Sequence, residues 1–210
     1  MTGRRRSGGL IVLEGIDGAG KSTLQRRLAL RWRARGWRVV LSREPHDPDL
    51  GRAAQVRGAK DPLAGGLLFT LDRALAAADT ERAMRKGALV LQDRSYFSTI
   101  AYQGSALAPG ERLALMLLQR HLTPEPDRVL WLDLLPVEAL DRLRARGSRR
   151  APFETMATLR RVRAAYRRLA RDPRWIRLDA RVPPDQLAEL ADRALARFLS
   201  TRRPVRAPRS

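Results

Sequence analysis

The sequence predicts an α/β protein in which a five-stranded parallel sheet lies between two layers of helices. Three features predict this three-layer fold: short apolar runs recur, helical patterns separate them, and a glycine-rich loop joins the first run to the first helix. The runs span residues 10–13, 38–41, 88–92, 129–132 and 175–178. Because 210 residues, 44% of them hydrophobic, suffice for one full core, we assign residues 1–210 to a single domain.

The first strand leads directly into GIDGAGKS at residues 15–22, which matches the phosphate-binding pattern G-x-x-x-x-G-K-[ST]. A helical pattern with Leu24, Leu28 and Trp32 on one face follows. Glycines let the backbone turn its N–H groups toward a polyphosphate, and the opening helix adds the positive end of its dipole. We therefore expect Lys21 to reach the β- and γ-phosphates of a nucleotide and Ser22 to be a ligand of Mg²⁺.

The position of Lys21 is informative because lysine is rare in this chain. Only three of the 42 basic residues are lysines, at positions 21, 60 and 86, and the rest are arginines. A compact ammonium group fits inside a ring of backbone amides, where a planar guanidinium is too broad. A lysine at this position therefore favours a working phosphate loop over a glycine-rich turn without a ligand.

Composition excludes several other kinds of site. The chain has no cysteine and only two histidines, far apart in sequence, so disulfides and thiolate metal sites are excluded and a cytoplasmic protein is expected. No apolar stretch approaches the length of a membrane span. The net charge of +20 suits polyanions, but the arginines are spread over nearly every predicted helix. We therefore predict no dedicated nucleic-acid partner and no membrane association.

A long helical pattern lies between the second and third strands. In it, Leu68, Leu71 and Leu75 form the predicted buried stripe. Phe69 and Arg73 lie four residues apart and off that stripe, which suits stacking on a base and hydrogen bonding to its edge. Packing of Phe69 beneath a neighbouring helix is an equally good interpretation of the pattern.

Polar residues follow the third strand, and ligands of parallel sheets bind at the carboxyl ends of strands. Asp93 stands where a metal-organising acid is expected, and Arg94 can face a phosphate with two hydrogen bonds. If the next segment is helical, one face carries hydroxyl groups that can contact a nucleotide. The members of that face are Ser95, Ser98, Thr99 and Tyr102. The alternative is an ordinary amphipathic helix with an Asp–Arg pair on its surface.

Helices are predicted over residues 139–146 and 155–170, joined by a Gly/Ser break dense in arginine. We interpret residues 144–154 as a short arginine-rich lid, because a flexible arginine loop can neutralise transition-state charge and exclude water. A solvated basic loop is the alternative. Pro183 and Pro184 open a last helix after the fifth strand, and the Pro/Arg-rich tail 201–210 is predicted to be flexible.

Together these residues resemble the thymidylate kinase family of P-loop nucleoside monophosphate kinases, from Leu10 to about Phe198. The most specific segments are LEGIDGAGKST at 13–23, REP at 43–45, LLF and DR within 67–73, DRSYFSTIAYQG at 93–104, and PDRVLWLD at 126–133. The phosphate loop alone indicates only a nucleoside triphosphatase, whereas these segments in this order are far more specific. The resemblance implies the P-loop NTPase fold and transfer of the γ-phosphoryl group of ATP to dTMP, which gives dTDP and ADP in dTTP synthesis.

The resemblance also implies where the substrates bind. It places ATP at Gly15, Ile16, Asp17, Gly18, Ala19, Gly20, Lys21, Ser22 and Thr23. It places dTMP among Asp17, Arg43, Glu44, Pro45, Phe69, Arg73, Arg94, Ser98, Thr99, Tyr102 and Gln103. It implies that Ser22 and Asp93 organise Mg²⁺.

Individual roles follow from the same resemblance. Asp17 would accept the sugar 3′-hydroxyl, and Phe69 would stack on thymine while Arg73 and Thr99 read its edge. Tyr102 would crowd out a ribose 2′-hydroxyl. The residues expected to be catalytic are Lys21, Arg94 and a lid arginine, namely Arg144, Arg149 or Arg150, because Ala19 stands where other family members have arginine.

Two departures from the family pattern bear on the choice of base. Ser95 replaces a common Tyr or His, and residues 46–47 replace a common Gly-Gly. Kinases of another deoxynucleotide or of a deoxynucleoside are therefore alternatives, the latter because DRS at 93–95 is similar to the acid-Arg-Ser motif of those enzymes. A basic nucleic-acid-binding ATPase is the alternative from another class. Family members are commonly homodimers, and the apolar segment 113–118 is predicted to lie in the core or at an interface.

Overall fold

The sheet has the predicted five parallel strands. The computed structural model describes residues 8–147 and 155–204. The strands are β1 (Gly9–Glu14), β2 (Val39–Arg43), β3 (Leu89–Asp93), β4 (Arg128–Asp133) and β5 (Trp175–Asp179), and their order in the sheet is β2-β3-β1-β4-β5. Each strand begins and ends within two residues of its predicted run, so the α/β fold class is confirmed.

Helices cover both faces of this sheet. Those in the described ranges are α1 (Lys21–Ala34), α2 (Pro48–Gly58), α3 (Pro62–Arg85), α4 (Tyr96–Tyr102), α5 (Pro109–Leu122), α6 (Pro136–Ala145), α7 (Met156–Leu169) and α8 (Pro184–Ser200). Alternate residues of β1 face the two layers: Val12 packs near Met84 of α3, whereas Ile11 belongs to the larger cluster that contains Trp32 of α1. Within residues 8–147 and 155–204, no helix has the length and apolar character needed to cross a membrane.

The predicted buried stripe of α3 is wrong. Leu71 and Leu75 are 48% and 68% exposed. The buried residues of α3 are Gly65, Gly66, Thr70, Asp72, Arg73 and Thr80. The helix runs beside a polar pocket and close to other helices, so its inner face carries polar groups and glycines, and Leu67, Leu71 and Leu75 point outward.

The order of the strands brings distant segments together at one edge. β1 and β3 are hydrogen-bonded neighbours, with Leu13 opposite Asp93. The loop that follows β1 and the Asp93–Arg94 pair that follows β3 therefore meet at the carboxyl end of the sheet, where parallel sheets bind ligands.

Candidate active site

The loop between β1 and α1 has the backbone of a phosphate loop. Gly15, Gly18 and Gly20 have φ angles of 149°, 83° and 96°, a region that favours glycine. A Cβ atom on Gly18 would also lie 2.7 Å from the carbonyl oxygen of Ala139 in α6. The glycines of the sequence pattern are thus required both by backbone conformation and by close packing.

Lys21 lies inside this loop and is buried. Its Nζ donates hydrogen bonds to the carbonyl oxygens of Gly15, at 2.9 Å, and Ile16, at 3.1 Å. Burial and the nearby Arg94 lower the pKa of Lys21 to about 8, although neighbouring carboxylates such as Asp17 act to raise it. Phosphate oxygens in the loop would give this ammonium group an anionic partner.

Ser22 and Asp93 form the part of the site suited to a divalent cation. The Ser22 hydroxyl donates to Asp93 Oδ2 at 2.6 Å, and the Asp93 carboxylate is buried. Asp93 Oδ1 is also buried and has no hydrogen-bond partner in the part of the chain that the structure describes. Among those residues no group of three His, Cys, Asp or Glu could hold a metal ion. This donor set suits Mg²⁺, which is usually bound by one or two protein oxygens together with substrate phosphates and water.

A cavity of about 220 Å³ opens beside the loop. Its lining contains Asp17, Arg43, Glu44, Pro45, Phe69, Arg73, Arg94, Ser98, Thr99, Tyr102 and Gln103, together with Gln55. The structure therefore brings the predicted acceptor residues around one cavity. Asp17 belongs to both parts of the site, because it is a residue of the phosphate loop and also lines this cavity.

Arg94 stands at the junction of the loop and the cavity. Its φ of 75° is unusual for a residue other than glycine, and its N–H donates to Leu13 O at 3.0 Å. Its guanidinium donates to Asp17 and, at 3.1 Å, to Ser98 Oγ, and its carbon lies 5.3 Å from the centre of the Tyr102 ring. Burial acts to raise the pKa of Asp17, but the charge of Arg94 and its other partners outweigh burial and lower it. Arg94 thus lines the cavity and contacts Asp17 of the phosphate loop.

Helix α4 is buried all round, so its polar face lies against protein and cavity and is not a surface face. Ser98, Thr99 and Tyr102 line the cavity as expected for one helical face. Ser95 does not: it caps the N-terminus of α4, and its Oγ donates to Glu14 at 2.7 Å.

Arg73 forms a buried ion pair at the wall of the cavity. Its Nε donates to Glu44 Oε1 at 2.7 Å, and its Nη2 donates to Glu44 Oε2. Further hydrogen bonds go to Gln119 and, at 3.3 Å, to Thr99 Oγ1. The guanidinium is therefore held rigidly, and its charge is balanced within the protein.

Several residues of this network carry no site role in the sequence prediction. Gln55 lines the cavity, Gln119 of α5 is fully buried against Arg73, and Asp72 accepts from the backbone N–H groups of residues 46 and 47. Glu14 is buried at the end of β1. Glu14 and Asp72 lie within segments that carry the family resemblance, but a polar residue in such a segment does not by itself indicate its partner.

A second cavity of about 300 Å³ lies on the other side of the phosphate loop. It is lined by Gly18, Ala19, Gly20, Thr23, Leu24, Arg142, Arg146, Ala180, Val182, Pro184 and Leu187. Arg144 lines neither cavity and pairs with Asp141 at 3.2 Å on the surface. Arg149 and Arg150 lie outside the described residues, so the lid and its catalytic arginine stay predictions.

A phosphate loop that shares Asp17 with the cavity of about 220 Å³, which Arg94 also lines, identifies the class of protein: a P-loop kinase acting on nucleoside monophosphates. The chain also matches the family model for thymidylate kinase over residues 13–190 and belongs to the thymidylate kinase family. It is 36% identical to a thymidylate kinase of Xanthomonas campestris pv. campestris (strain B100) over 207 residues, 96% of this chain and 89% of that protein. It is 34% identical to a probable thymidylate kinase of Archaeoglobus fulgidus over 198 residues, 92% of this chain and 98% of that protein.

Proposed function

We propose that the protein transfers the γ-phosphoryl group of ATP to dTMP and releases dTDP and ADP. The observation that carries this proposal is the junction at Asp17 and Arg94, which joins the phosphate loop to the acceptor cavity. Membership of the thymidylate kinase family supports thymine as the acceptor base. The half-buried Phe69 and the rigid Arg73 on the cavity wall suit stacking and edge recognition of that base.

In the reaction, an oxygen of the acceptor phosphate forms a bond to the γ-phosphorus, and the bond to the β–γ bridging oxygen breaks. Lys21 and the loop amides hold the donor phosphates, and Arg94 holds the acceptor phosphate in line with them. Ser22 and Asp93 would hold Mg²⁺, which neutralises charge on the β- and γ-phosphates when bound. No general base is required, because phosphoryl transfer depends mostly on positioning and charge neutralisation.

The acceptor is tested by coupled measurement of ADP formation with dTMP, dUMP, UMP, CMP, GMP, AMP and thymidine. We expect kcat/KM for dTMP to exceed that for CMP, GMP and AMP by about 10²-fold or more, because a pocket built to hydrogen-bond one base edge rejects others strongly. Uracil has the same hydrogen-bonding edge as thymine, so UMP should be disfavoured through its 2′-hydroxyl, which Tyr102 would crowd out. Chelation of Mg²⁺ should reduce turnover to background.

Other results would change the assignment. Preferred use of another base would overturn dTMP as the acceptor, and phosphorylation of thymidine in place of dTMP would indicate a deoxynucleoside kinase. ATP hydrolysis that DNA stimulates, without phosphorylation of any acceptor, would indicate the nucleic-acid-binding ATPase.

We further propose that this kinase works in the cytoplasm as a homodimer whose interface includes the leucines on the outside of α3 and α5. These two helices pack against each other. The exposed leucines are Leu67, Leu71 and Leu75 on α3 and Leu113, Leu117, Leu118 and Leu122 on α5. Only Leu115 of the apolar segment 113–118 is fully buried. Leucine stripes on two neighbouring helices suit a self-associating surface.

The double variant Leu71→Glu/Leu75→Glu tests the homodimer. By light scattering, we expect the unaltered protein to have about twice the chain mass of 23.7 kDa and the variant to have the mass of one chain, since charge repels across a two-fold interface. Leu30→Glu is the matched control, because Leu30 is 68% exposed on α1. An unaltered protein that runs as a monomer, or a variant that stays a dimer, would contradict this interface.

A further inference from the structure

Glu14 is a fully buried carboxylate that the proposed reaction does not use. It ends β1, immediately before the phosphate loop. Its Oε1 accepts hydrogen bonds from Ser95 N at 2.9 Å and Ser95 Oγ at 2.7 Å. Its Oε2 accepts from Ser98 Oγ at 2.7 Å and from the Tyr166 hydroxyl at 2.9 Å. A buried carboxylate is costly unless it is fully satisfied, and here each oxygen has two donors.

These bonds determine how Ser98 meets Arg94. A serine hydroxyl has one hydrogen to donate and lone pairs with which to accept. Because the hydrogen of Ser98 is donated to Glu14, the lone pairs of Ser98 Oγ are free to accept from Arg94 Nη1, which lies 3.1 Å away. Glu14 thus makes Ser98 Oγ the acceptor, and Arg94 the donor, in the hydrogen bond between those two residues.

Tyr166 extends this arrangement to α7. Its hydroxyl donates to Glu14 and lies 3.0 Å from Ser98 Oγ, while its ring is fully buried with its centre 6.2 Å from that of Trp175. Helix α7 packs against α4, the helix that carries Ser98. The hydroxyl of Tyr166 makes the polar contacts and its ring makes the apolar ones. Substitution with phenylalanine therefore removes the polar contacts and keeps the apolar ones.

We propose that Glu14, Ser98 and Tyr166 form a positioning triad that aims Arg94 at the acceptor phosphate. The proposal rests on the proposed function, in which Arg94 holds that phosphate. Asp17 contacts the same guanidinium, but it also lines the acceptor cavity. Ser98 lines the cavity as well, whereas Glu14 and Tyr166 do not and reach Arg94 by hydrogen bonds through Ser98. The effect of Glu14 and Tyr166 is therefore confined to ligands that carry a phosphate.

Tyr166→Phe tests the triad through the binding of dTMP and of thymidine, which differ only in the phosphate. By calorimetry we expect the Kd of dTMP to rise about fivefold to tenfold, which is typical for loss of one hydrogen bond in a charged network, and the Kd of thymidine to change less than twofold. The KM of dTMP should rise by a similar factor, while the KM of ATP stays unchanged.

Tyr96→Phe is the matched control. Tyr96 lies on α4, its hydroxyl donates to Glu125 at 3.0 Å, and it does not line the acceptor cavity. We expect this variant to bind both ligands as the unaltered protein does. Ser98→Ala removes the hydroxyl oxygen that accepts directly from Arg94 Nη1 and should reproduce the selective loss of dTMP affinity, so the test holds even where one variant folds poorly.

Each outcome decides the matter. Selective weakening of dTMP in Tyr166→Phe and Ser98→Ala supports the triad. Equal weakening of dTMP and thymidine, or no change in either, overturns it and leaves Tyr166 as a core residue. If the unaltered protein binds dTMP no more tightly than thymidine, the role of Arg94 in the proposed function fails, and the triad fails with it.

Discussion

Replacing Lys21 with alanine lowers kcat for dTMP phosphorylation by about 10³-fold in our expectation, a loss typical for removal of a preorganised charge-stabilising group. The ammonium group lies within the loop, bonded to the carbonyls of residues 15 and 16, at the point where the β- and γ-phosphates would bind. Lys21→Arg should lose activity as well, because a planar guanidinium does not fit a ring of backbone groups built around an ammonium. Steady-state kinetics at saturating ATP and dTMP measures both effects.

The scarcity of lysine provides the controls. Lys60 and Lys86 are the other two lysines, and both are exposed. Alanine at either position should leave kcat unchanged. A Lys21→Ala protein that retains kcat within tenfold of the unaltered enzyme would refute the phosphate loop as the ATP site.

Replacing Arg73 with methionine should lower the free energy of unfolding by about 3–5 kcal/mol, the usual cost of breaking a buried ion pair from one side. The side chains of Arg73 and Glu44 are only 6% and 3% exposed, so the variant leaves the Glu44 carboxylate buried without its charge partner. Urea unfolding followed by circular dichroism measures the change. The acceptor cavity should also lose affinity for dTMP, because Arg73 lines it.

Two further variants test whether the loss of stability arises because the ion pair is buried or would follow from breaking any salt bridge. Arg85→Met breaks the Arg85–Glu81 pair on the same helix, whose side chains are 67% and 48% exposed, and should cost less than about 0.5 kcal/mol. The double variant Glu44→Gln/Arg73→Met removes both buried charges and should recover more than half of the loss. Equal destabilisation by Arg85→Met and Arg73→Met would contradict this account.

The fold was predictable to within two residues at every strand, because each strand is a local apolar run bounded by turn residues. The α3 helix shows where such patterns fail. Periodicity pointed to Leu71 and Leu75 as the buried face, yet those leucines are exposed and Arg73 is buried. Apolar spacing cannot reveal that a helix faces a polar pocket on its inner side.

The sequence by itself determined the phosphate loop, since its residues are contiguous and glycine conformation, lysine size and helix start are local properties. The order of the strands, which places Asp93 and Arg94 beside that loop, came from the tertiary structure. Only the tertiary structure decided which polar groups hold those residues in place. Glu14 bonds to partners 81 and 152 positions away, and Arg73 to one 46 positions away. Hydrogen bonds between such distant residues depend on how the helices pack. The spacing of apolar residues within one helix does not determine which neighbours that helix packs against.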